Sequence, residues 1–259
     1  MAYLPNVIFA LLAFASFSYL AINLRRIWQT IHVGVGADDI RTDRAFERFV
    51  GMLRGGILQP KMFKDFWPAI MHAMIFLGFV VVTIGTAETV LHGIFDAFSF
   101  RLILGGDWLY SAYLKSQDIG NLIVAVAIVW ALARRLIFKP WRLSQLEKSS
   151  RVDAYIVLSF ILSLVVTSLV YMGAKTFVVG EGSLPMGPLG ISHSFASVVG
   201  GVLGIESSDS WAVLGKSVWW LHCLVLFSFM VFLPSSKHQH FIWVWPNMFL
   251  RSLKARGRL

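Results

Sequence analysis

The chain has a single cysteine, Cys223, among its 259 residues. One thiol excludes an internal disulfide, and it also excludes a zinc site of the CxxC type. Iron–sulfur clusters need several thiolates, so this chain alone cannot ligate one. We expect Cys223 to pack in the protein interior.

Charged residues are scarce as well. Asp, Glu, Lys and Arg make up 14% of the chain and hydrophobic residues 57%, with a mean hydropathy of +0.69. A soluble domain of this length could not bury so much apolar sequence, so the composition predicts an integral membrane protein. The sequence also lacks a glycine-rich phosphate loop, a nucleophile elbow and a paired-carboxylate signature, which leaves soluble-type hydrolysis and nucleotide chemistry without support.

Five apolar stretches are long enough to span a bilayer as helices. They are residues 3–24, 67–91, 119–138, 153–174 and 211–233. The first follows Met1 and Ala2 without a basic leader or a cleavage site, so we expect a retained span and no removed signal peptide. The predicted fold class is an all-α integral membrane protein forming one domain.

Basic residues are distributed unevenly between the connections. Residues 25–65, 134–153 and the tail after 233 hold 19 of the 23 Lys and Arg residues. The positive-inside rule therefore predicts an outside N-terminus and a cytoplasmic C-terminus. Topology and lipid headgroups account for the net charge of +9, so nucleic-acid binding is not needed to explain it.

The first cytoplasmic loop, residues 25–66, is predicted to contain an interfacial helix. Phe46, Phe49, Val50 and Leu53 recur at helical spacing among charges of both signs. Two interpretations stay open: a solvated loop helix, or a docking surface for a cytoplasmic subunit.

Histidines stand at both ends of the fifth span. His222 and His240 are 18 residues apart, which places them on one face of a continuous helix and about 27 Å from each other. That is close to the hydrocarbon thickness. Ionisable residues inside a membrane are functional-site candidates, and imidazole is an iron ligand.

Depth in the membrane suggests which histidines pair. His72 and His240 lie near the inner surface, whereas His92 and His222 lie near the outer one. Neutral imidazole is a natural ligand of haem iron, so the spacing predicts two bis-histidine haem sites between the second and fifth spans.

Two ligand assignments leave alternatives open. An ideal helix places His72 and His92 on nearly opposite faces, so His193 in an outer connection is the substitute for His92. Pro234 interrupts the fifth span, so His238 competes with His240 as a ligand, or contacts the quinone.

The segments around these histidines resemble a known family. Residues 72–86, the Trp-Trp-Leu-His motif of 219–222, the Pro-x-Ser-Lys-His-x-His type of segment at 234–240, and residues 246–249 carry the resemblance. They are similar to the membrane domain of heterodisulfide-reductase-related Fe–S oxidoreductases, a group that includes electron-transfer-flavoprotein:menaquinone oxidoreductases, and more distantly to the nitrate reductase gamma subunit.

The resemblance covers nearly the whole chain and implies a cytochrome b function. It implies two haem b groups and exchange of electrons with membrane quinone, with menaquinone as the expected one. It also implies a cytoplasmic Fe–S subunit, an electron-transfer flavoprotein, or both, as partners. It also implies the plasma membrane of a bacterium or archaeon. Because the chain stops at Leu259 without a cysteine-rich domain, we expect a separate subunit to supply the clusters.

Further residues are assigned roles around these cofactors. Gly78 and Gly85 form a small-residue strip that admits a neighbouring helix or a flat macrocycle. Asp118 and Glu88 are candidate proton donors to quinone, although each could instead cap a helix or pair with an arginine. The candidate partners of the haem propionates are Lys237, Arg134 and Arg135 inside, and Lys216 and Arg101 outside.

Two other functions compete with the redox interpretation. A transporter could use intramembrane His and Glu residues, although no inverted repeat or broken-helix pair is evident. A haem-free membrane anchor would use the histidines only for packing and hydrogen bonding.

Overall fold

The computed structural model describes residues 4–31, 42–59, 62–179 and 190–253. Within these ranges every regular element is helical and no strand occurs. The α-helices are α1 Leu4–Ile31, α2 Ala45–Leu53, α3 Phe66–Ile94, α4 Arg101–Leu104, α5 Asp107–Ala133, α6 Trp141–Ser144, α7 Lys148–Val179, α8 Gly190–Leu203, α9 Ser208–Phe232 and α10 His240–Phe249. π-Helical turns follow α2 and α5, at Arg54–Leu58 and Arg134–Phe138, and 3₁₀ turns lie at Met62–Lys64, Leu233–Ser235 and Lys237–Gln239.

Five helices, α1, α3, α5, α7 and α9, are long and apolar enough to cross a membrane. The shortest of them, α9, has 25 residues, about 37 Å at the helical rise, which exceeds the hydrocarbon thickness of about 30 Å. Their outer surfaces expose large apolar side chains, such as Phe14 at 75% and Val129 at 57%. Lipid, unlike water, tolerates such a surface. The predicted all-α fold with five membrane-length helices is confirmed.

The five long helices form a closed ring. Each packs against the next one along the chain, and α1 packs against α9 to close the ring. Helix α1 therefore lies between α3 and α9. The main apolar core includes Val124, Ile128 and Phe229. A second core, between α1 and α9, contains Phe9 and Cys223, whose side chains are both at 0% exposure. The expected burial of the single thiol is confirmed.

The two ends of the ring differ in what they carry. One end, here called the basic end, holds residues 42–59, 62–65, 134–147 and everything described after 232. The other, here called the α8 end, holds residues 95–106 and helix α8. Helix α5 begins at this second end, 12 residues before the stretch that hydropathy alone selected. The early turns are polar, so they escape a hydropathy window, but they stay helical because their polar groups are bonded inside the protein.

Asp118 shows why a polar residue stands inside α5. Its carboxylate accepts hydrogen bonds from the backbone N–H groups of Ile191 and Ser192, at 3.0 and 2.8 Å, and from the Ser192 hydroxyl. Asp118 lies 11 residues, about 16 Å, from the start of α5, so α8 begins inside the bundle. A buried helix N-terminus needs an acceptor and favours negative charge. Asp118 supplies both.

Glu88 is bonded in a similar way at the end of α3. It accepts from the Ser99 hydroxyl at 2.9 Å, from Phe100 N–H at 2.7 Å and from the Tyr113 hydroxyl at 2.7 Å, with Tyr110 at 3.4 Å. These bonds tie the connection after α3 to α5. The quinone role predicted for Glu88 and Asp118 stays a prediction, and both carboxylates have a structural use.

Helix α9 ends earlier than a continuous fifth span requires. It stops at Phe232, and Pro234 lies in the following 3₁₀ turn. Proline lacks an N–H and clashes with the preceding turn, so the chain bends before His240 starts α10. The prediction that His222 and His240 share one face of a continuous helix is therefore wrong.

Helix α2 is attached to the end of α10 by Arg48. This side chain, 3% exposed, donates to the backbone oxygens of Phe249 and Arg251 at 3.1 and 2.7 Å and to Asp43 Oδ1 at 2.7 Å. The Arg48 guanidinium holds the pKa of Asp43 below its usual value through this hydrogen bond. On the other face of α2, Phe46 is 81% exposed, so the helix is amphipathic as the spacing predicted.

Candidate functional site

Three histidines meet at the basic end and form what is here called the histidine cluster: His72, His238 and His240. The ring centres of His72 and His240 are 6.3 Å apart, and those of His238 and His240 are 5.4 Å apart. His72 is contributed by the second turn of α3, whereas the other two follow the break after α9. The bend at Pro234 brings both of them back towards α3.

The cluster contains nitrogens that have no partner. His72 Nδ1 and His238 Nε2 are buried and make no hydrogen bond with the described residues. Burying a polar atom without a partner costs free energy, so such atoms point to a missing ligand. His240 Nδ1 lies 3.0 Å from the Lys237 carbonyl oxygen, which can only accept. His240 therefore donates from Nδ1 and keeps the lone pair of Nε2 available.

Phenylalanines enclose the inner part of the cluster. The His238 ring lies 5.6 Å from that of Phe229, 5.3 Å from that of Phe241 and 6.4 Å from that of Phe79. Burial in this apolar wall lowers the pKa of His238 to about 4. His238 is thus neutral at physiological pH, and neutral imidazole is the form that binds metals.

The turn that carries His238 and His240 is anchored on α7. Asp153 accepts a hydrogen bond from Lys237 N–H at 3.0 Å, and the Lys237 ammonium donates to the Ser150 hydroxyl. Ser236 accepts from His238 N–H at 3.2 Å. Lys237, a predicted propionate partner, therefore also fixes the turn on which both histidines stand.

His222 and His193 occur elsewhere and share one arrangement. His222 Nδ1 lies 2.9 Å from Thr167 Oγ1, and His193 Nδ1 lies 2.7 Å from Thr176 Oγ1. Each threonine hydroxyl already donates to a carbonyl of its own helix, so it accepts from the imidazole. Both histidines consequently keep Nε2 unprotonated. The pattern of one threonine per histidine was missed by sequence reasoning, because nothing in the sequence aligns α7 with α8 and α9.

His92 has a third environment. Its Nδ1 lies 3.2 Å from the Phe98 carbonyl oxygen, and its ring meets Trp219 edge to face at 6.5 Å. His222, one turn further along α9 than Trp219, faces Thr167 instead. The structure thus does not bring His92 and His222 into ring contact, whereas it does bring His72 and His240 together. The outer haem pair stays a prediction.

His92 opens into a cleft of about 460 Å³ at the α8 end. Helices α1, α3, α7 and α9 line it, with His92, Lys175, Lys216 and the aromatic residues Phe9, Tyr171, Trp211, Trp219 and Trp220. Trp219, one of these lining residues, has its Nε1 buried without a hydrogen-bond partner. Lys175 lies 4.3 Å from the centre of the Tyr171 ring. Sequence reasoning had not singled out Trp219 as a donor.

The remaining predicted residues fall in three places. Gly78 and Gly85 face α5, where an added Cβ would lie 2.5 Å from Val124 and from Gln117 respectively. A helix therefore fills the small-residue strip. Arg101 pairs with Asp107 at the α8 end, with 2.7 Å between Nη2 and Oδ1.

The last two arginines lie at the basic end. Arg134 starts the π-helical turn after α5, and Arg135 lines a second, smaller cleft between that turn and α7. Among the described residues, no hydrogen bond joins Arg134 or Arg135 to the histidine cluster.

Together, these features describe an all-helical protein with five helices long and apolar enough to cross a membrane and a cluster of three histidines at one end. The chain is similar to the probable iron-sulfur-binding oxidoreductase FadF of Bacillus subtilis (strain 168), with 29% identity over 256 residues. The match covers 99% of this chain and 34% of that protein, so the chain spans about a third of its length. The similarity is consistent with a role in electron transfer. No family model and no solved structure matches the chain.

Proposed function

We propose that this chain is a haem-bearing membrane subunit that passes electrons between a cytoplasmic Fe–S or flavoprotein partner and membrane quinone. The observation that carries the proposal is the histidine cluster, with its buried and unpartnered ring nitrogens. The similarity to an iron-sulfur-binding oxidoreductase supports a redox role independently of that geometry.

The residues of the cluster fit haem better than a bare metal ion. Among the described residues, no group of three or more His, Cys, Asp or Glu side chains is placed to hold a metal. Haem iron needs only axial ligands from the protein. A metal–imidazole bond is about 2 Å long and the ring centre lies about 1 Å further, so two imidazoles across one ion have centres about 6 Å apart. The His72–His240 distance of 6.3 Å agrees with this.

We propose that His72 and His240 would hold the haem iron at the basic end. The Lys237 carbonyl orients His240, as the partners of metal-bound histidines commonly do. Phe79, Phe229 and the neutral His238 form an apolar wall on one side of this site, and His240 lies on its exposed side. Bound haem would supply one-electron chemistry here, and the low-dielectric wall would tune its potential.

A second haem is proposed in the outer half with His222 as one ligand. Thr167 holds His222 in the tautomer that a ligand requires. His92 and His193 are the candidates for the opposite position, and each also has its Nδ1 beside an acceptor. This assignment calls for a rearrangement of the α8 end around the cofactor.

Quinone is proposed to bind in the cleft at the α8 end. Its aromatic faces suit a flat ring, and Trp219 Nε1 and the two lysines suit carbonyl oxygens. His92 is 20 residues from His72 on α3, about 30 Å at the helical rise. Because the histidine cluster and the quinone cleft are that far apart, the proposal includes a second haem between them. This haem would lie near His222, one turn from Trp219.

The soluble partner is proposed to dock at the basic end. The positive-inside rule predicts that this end faces the cytoplasm. The matched relative is named as an iron-sulfur-binding protein, and two thirds of its length lies outside the match. We infer that its counterpart here is a cluster-bearing domain or subunit that delivers or accepts electrons close to His72.

Optical spectroscopy of the purified protein tests the proposal. A reduced-minus-oxidised spectrum typical of b-type haem, with a pyridine haemochrome ratio of about two haems per chain, is expected for two bis-histidine sites. Folded protein that was produced with ample haem and shows no haem band would contradict the proposal.

A further inference from the structure

A second cleft at the basic end collects positive charge. It measures about 190 Å³ and lies between the π-helical turn after α5, helix α6 and the first turns of α7. Arg135, Lys139 and Arg151 line it, and no Asp or Glu does. Three positive charges within one small cleft favour an anionic ligand.

The backbone builds this cleft. Lys139 has a left-handed conformation with φ of 41°, and its N–H donates to the Arg134 carbonyl at 3.0 Å. Pro140 is then the N-cap residue of α6. The chain therefore turns at Lys139, and Lys139, Arg135 and Arg151 line the same cleft.

None of these three cations is neutralised within the described part of the chain. The ion pairs found there involve Asp43, Glu47 and Asp107, all in other regions. Asp153, on the neighbouring turn of α7, is engaged with Lys237 N–H. Arg135 Nη1 makes a long contact of 3.4 Å with the Ala131 carbonyl, which leaves most of its donors available.

The other residues that line the cleft are mostly apolar, and exposed apolar side chains occur in the same π-helical turn. Leu143 and Leu146 line the cleft together with Tyr155, whose hydroxyl is a further donor. In the π-helical turn that borders the cleft, Ile137 and Phe138 are each 73% exposed. A ligand suited to this site carries an anionic phosphate and hydrocarbon chains.

We propose that this basic cleft binds the phosphate of an anionic phospholipid such as phosphatidylglycerol. Arginine forks and a lysine ammonium recognise phosphate oxygens well. Basic pockets between membrane helices at the cytoplasmic side are suited to such headgroups. The acyl chains then lie along Ile137 and Phe138. The proposal does not depend on haem or quinone.

Lipid titration of the full-length, delipidated protein, followed by native mass spectrometry, tests this. Phosphatidylglycerol should bind wild type at least about tenfold more tightly than phosphatidylcholine, and the double variant Arg135→Gln/Arg151→Gln should lose that preference. The matched control is Arg25→Gln/Lys148→Gln, which removes two exposed charges at the same end outside the cleft. The control should bind as wild type does.

Two further arms define the ligand. Competition by inorganic phosphate would identify free phosphate as a ligand of the same site, whereas no competition would identify the lipid. The single variant Lys139→Gln, at an exposed position, repeats the test if the double variant does not fold, and should weaken phosphatidylglycerol binding several-fold.

Equal binding of both lipids by wild type would overturn the proposal, as would a double variant that matches the control. Haem is measured on the same samples, because Arg135 is also a predicted propionate partner. A double variant that loses haem but keeps phosphatidylglycerol would assign the arginines to the cofactor and sink the lipid site.

Discussion

The two ends of the helix ring treat histidine differently. At the basic end His72, His238 and His240 converge, and two of them have buried nitrogens without a partner. In the other half, three histidines are kept apart, each with an acceptor at Nδ1. Equal depth in a bilayer is thus not enough to pair two side chains. Pairing also depends on the rotation of each helix and on the hydrogen-bond partner that orients each imidazole.

Among the variants considered, removal of His72 should have the largest effect on haem content at the basic end. We expect His72→Ala to abolish haem at the basic end, because this is the only histidine that α3 contributes there. The haem-to-protein ratio by pyridine haemochrome should fall by one haem per chain. Met74→Ala, two residues away, is the control and should keep full haem. A His72→Ala protein with unchanged haem would assign the cluster to packing.

The choice between His238 and His240 sharpens the assignment at the same end. His240→Ala should lose the haem that His72→Ala loses, since Lys237 orients its ring for ligation. His238→Ala should keep that haem, with a shifted midpoint potential because the wall around the site changes. The reverse result, with haem lost only in His238→Ala, would make His238 and not His240 the residue that holds the haem.

Thr167 tests whether the α8 end also holds haem. If His222 is a ligand, Thr167→Val removes its orienting acceptor and should weaken the second haem about tenfold to a hundredfold, the usual effect of losing such a partner. Thr167→Ser keeps the hydroxyl and should behave as wild type. Haem retention during competition with apomyoglobin is a suitable measurement. Identical retention in all three proteins would remove His222 from the ligand set.

Arg48 tests how firmly α10 is held at the basic end. Arg48→Ala breaks charged hydrogen bonds to the end of α10 and should cost about 2 kcal/mol. Arg44→Ala removes only exposed ion pairs and should cost less than about 1 kcal/mol. Hydrogen exchange of α2 and α10 measures both. Equal protection in the two variants would show that Arg48 does not secure α10.

The smallest expected effect is a pH dependence carried by Asp43. Its pKa is lowered in the folded protein, so its contribution to stability is complete above the unfolded value near 3.8 and is lost as pH falls through the lower, folded value. Asp43→Asn lacks that contribution. The melting temperatures of wild type and variant should therefore differ at pH 6 and converge towards pH 3, and a constant difference would exclude this linkage.

Hydropathy and depth were sufficient for much of this fold and part of the site. The five long helices follow from apolar length alone, and the meeting of His72 with His240 was expected because both stand near the basic surface. The haem role of that pair, as of the outer one, stays a prediction. The features that could not be predicted from the sequence are those that depend on tertiary contacts. The early turns of α5 carry Asp118 because α8 inserts beside them, and no hydropathy window records that.

The partners of the other histidines could not be derived for a related reason. Helix rotation decides that His222 faces Thr167 and that His92 faces Trp219, and rotation depends on packing around the whole ring. Pro234 did signal a break after the fifth span. Its consequence, a separate helix α10 that returns His240 towards α3, depends on Lys237 and its contacts with α7.

The burial of the only native thiol has a practical value. Cys223 is fully enclosed under α1, so maleimide reagents applied to the folded protein should find nothing to modify. New cysteines placed one at a time in the connections can then be labelled from either side of sealed vesicles without first engineering the native one away. The wild-type protein can therefore be used directly for cysteine labelling that establishes which end of the molecule faces the cytoplasm.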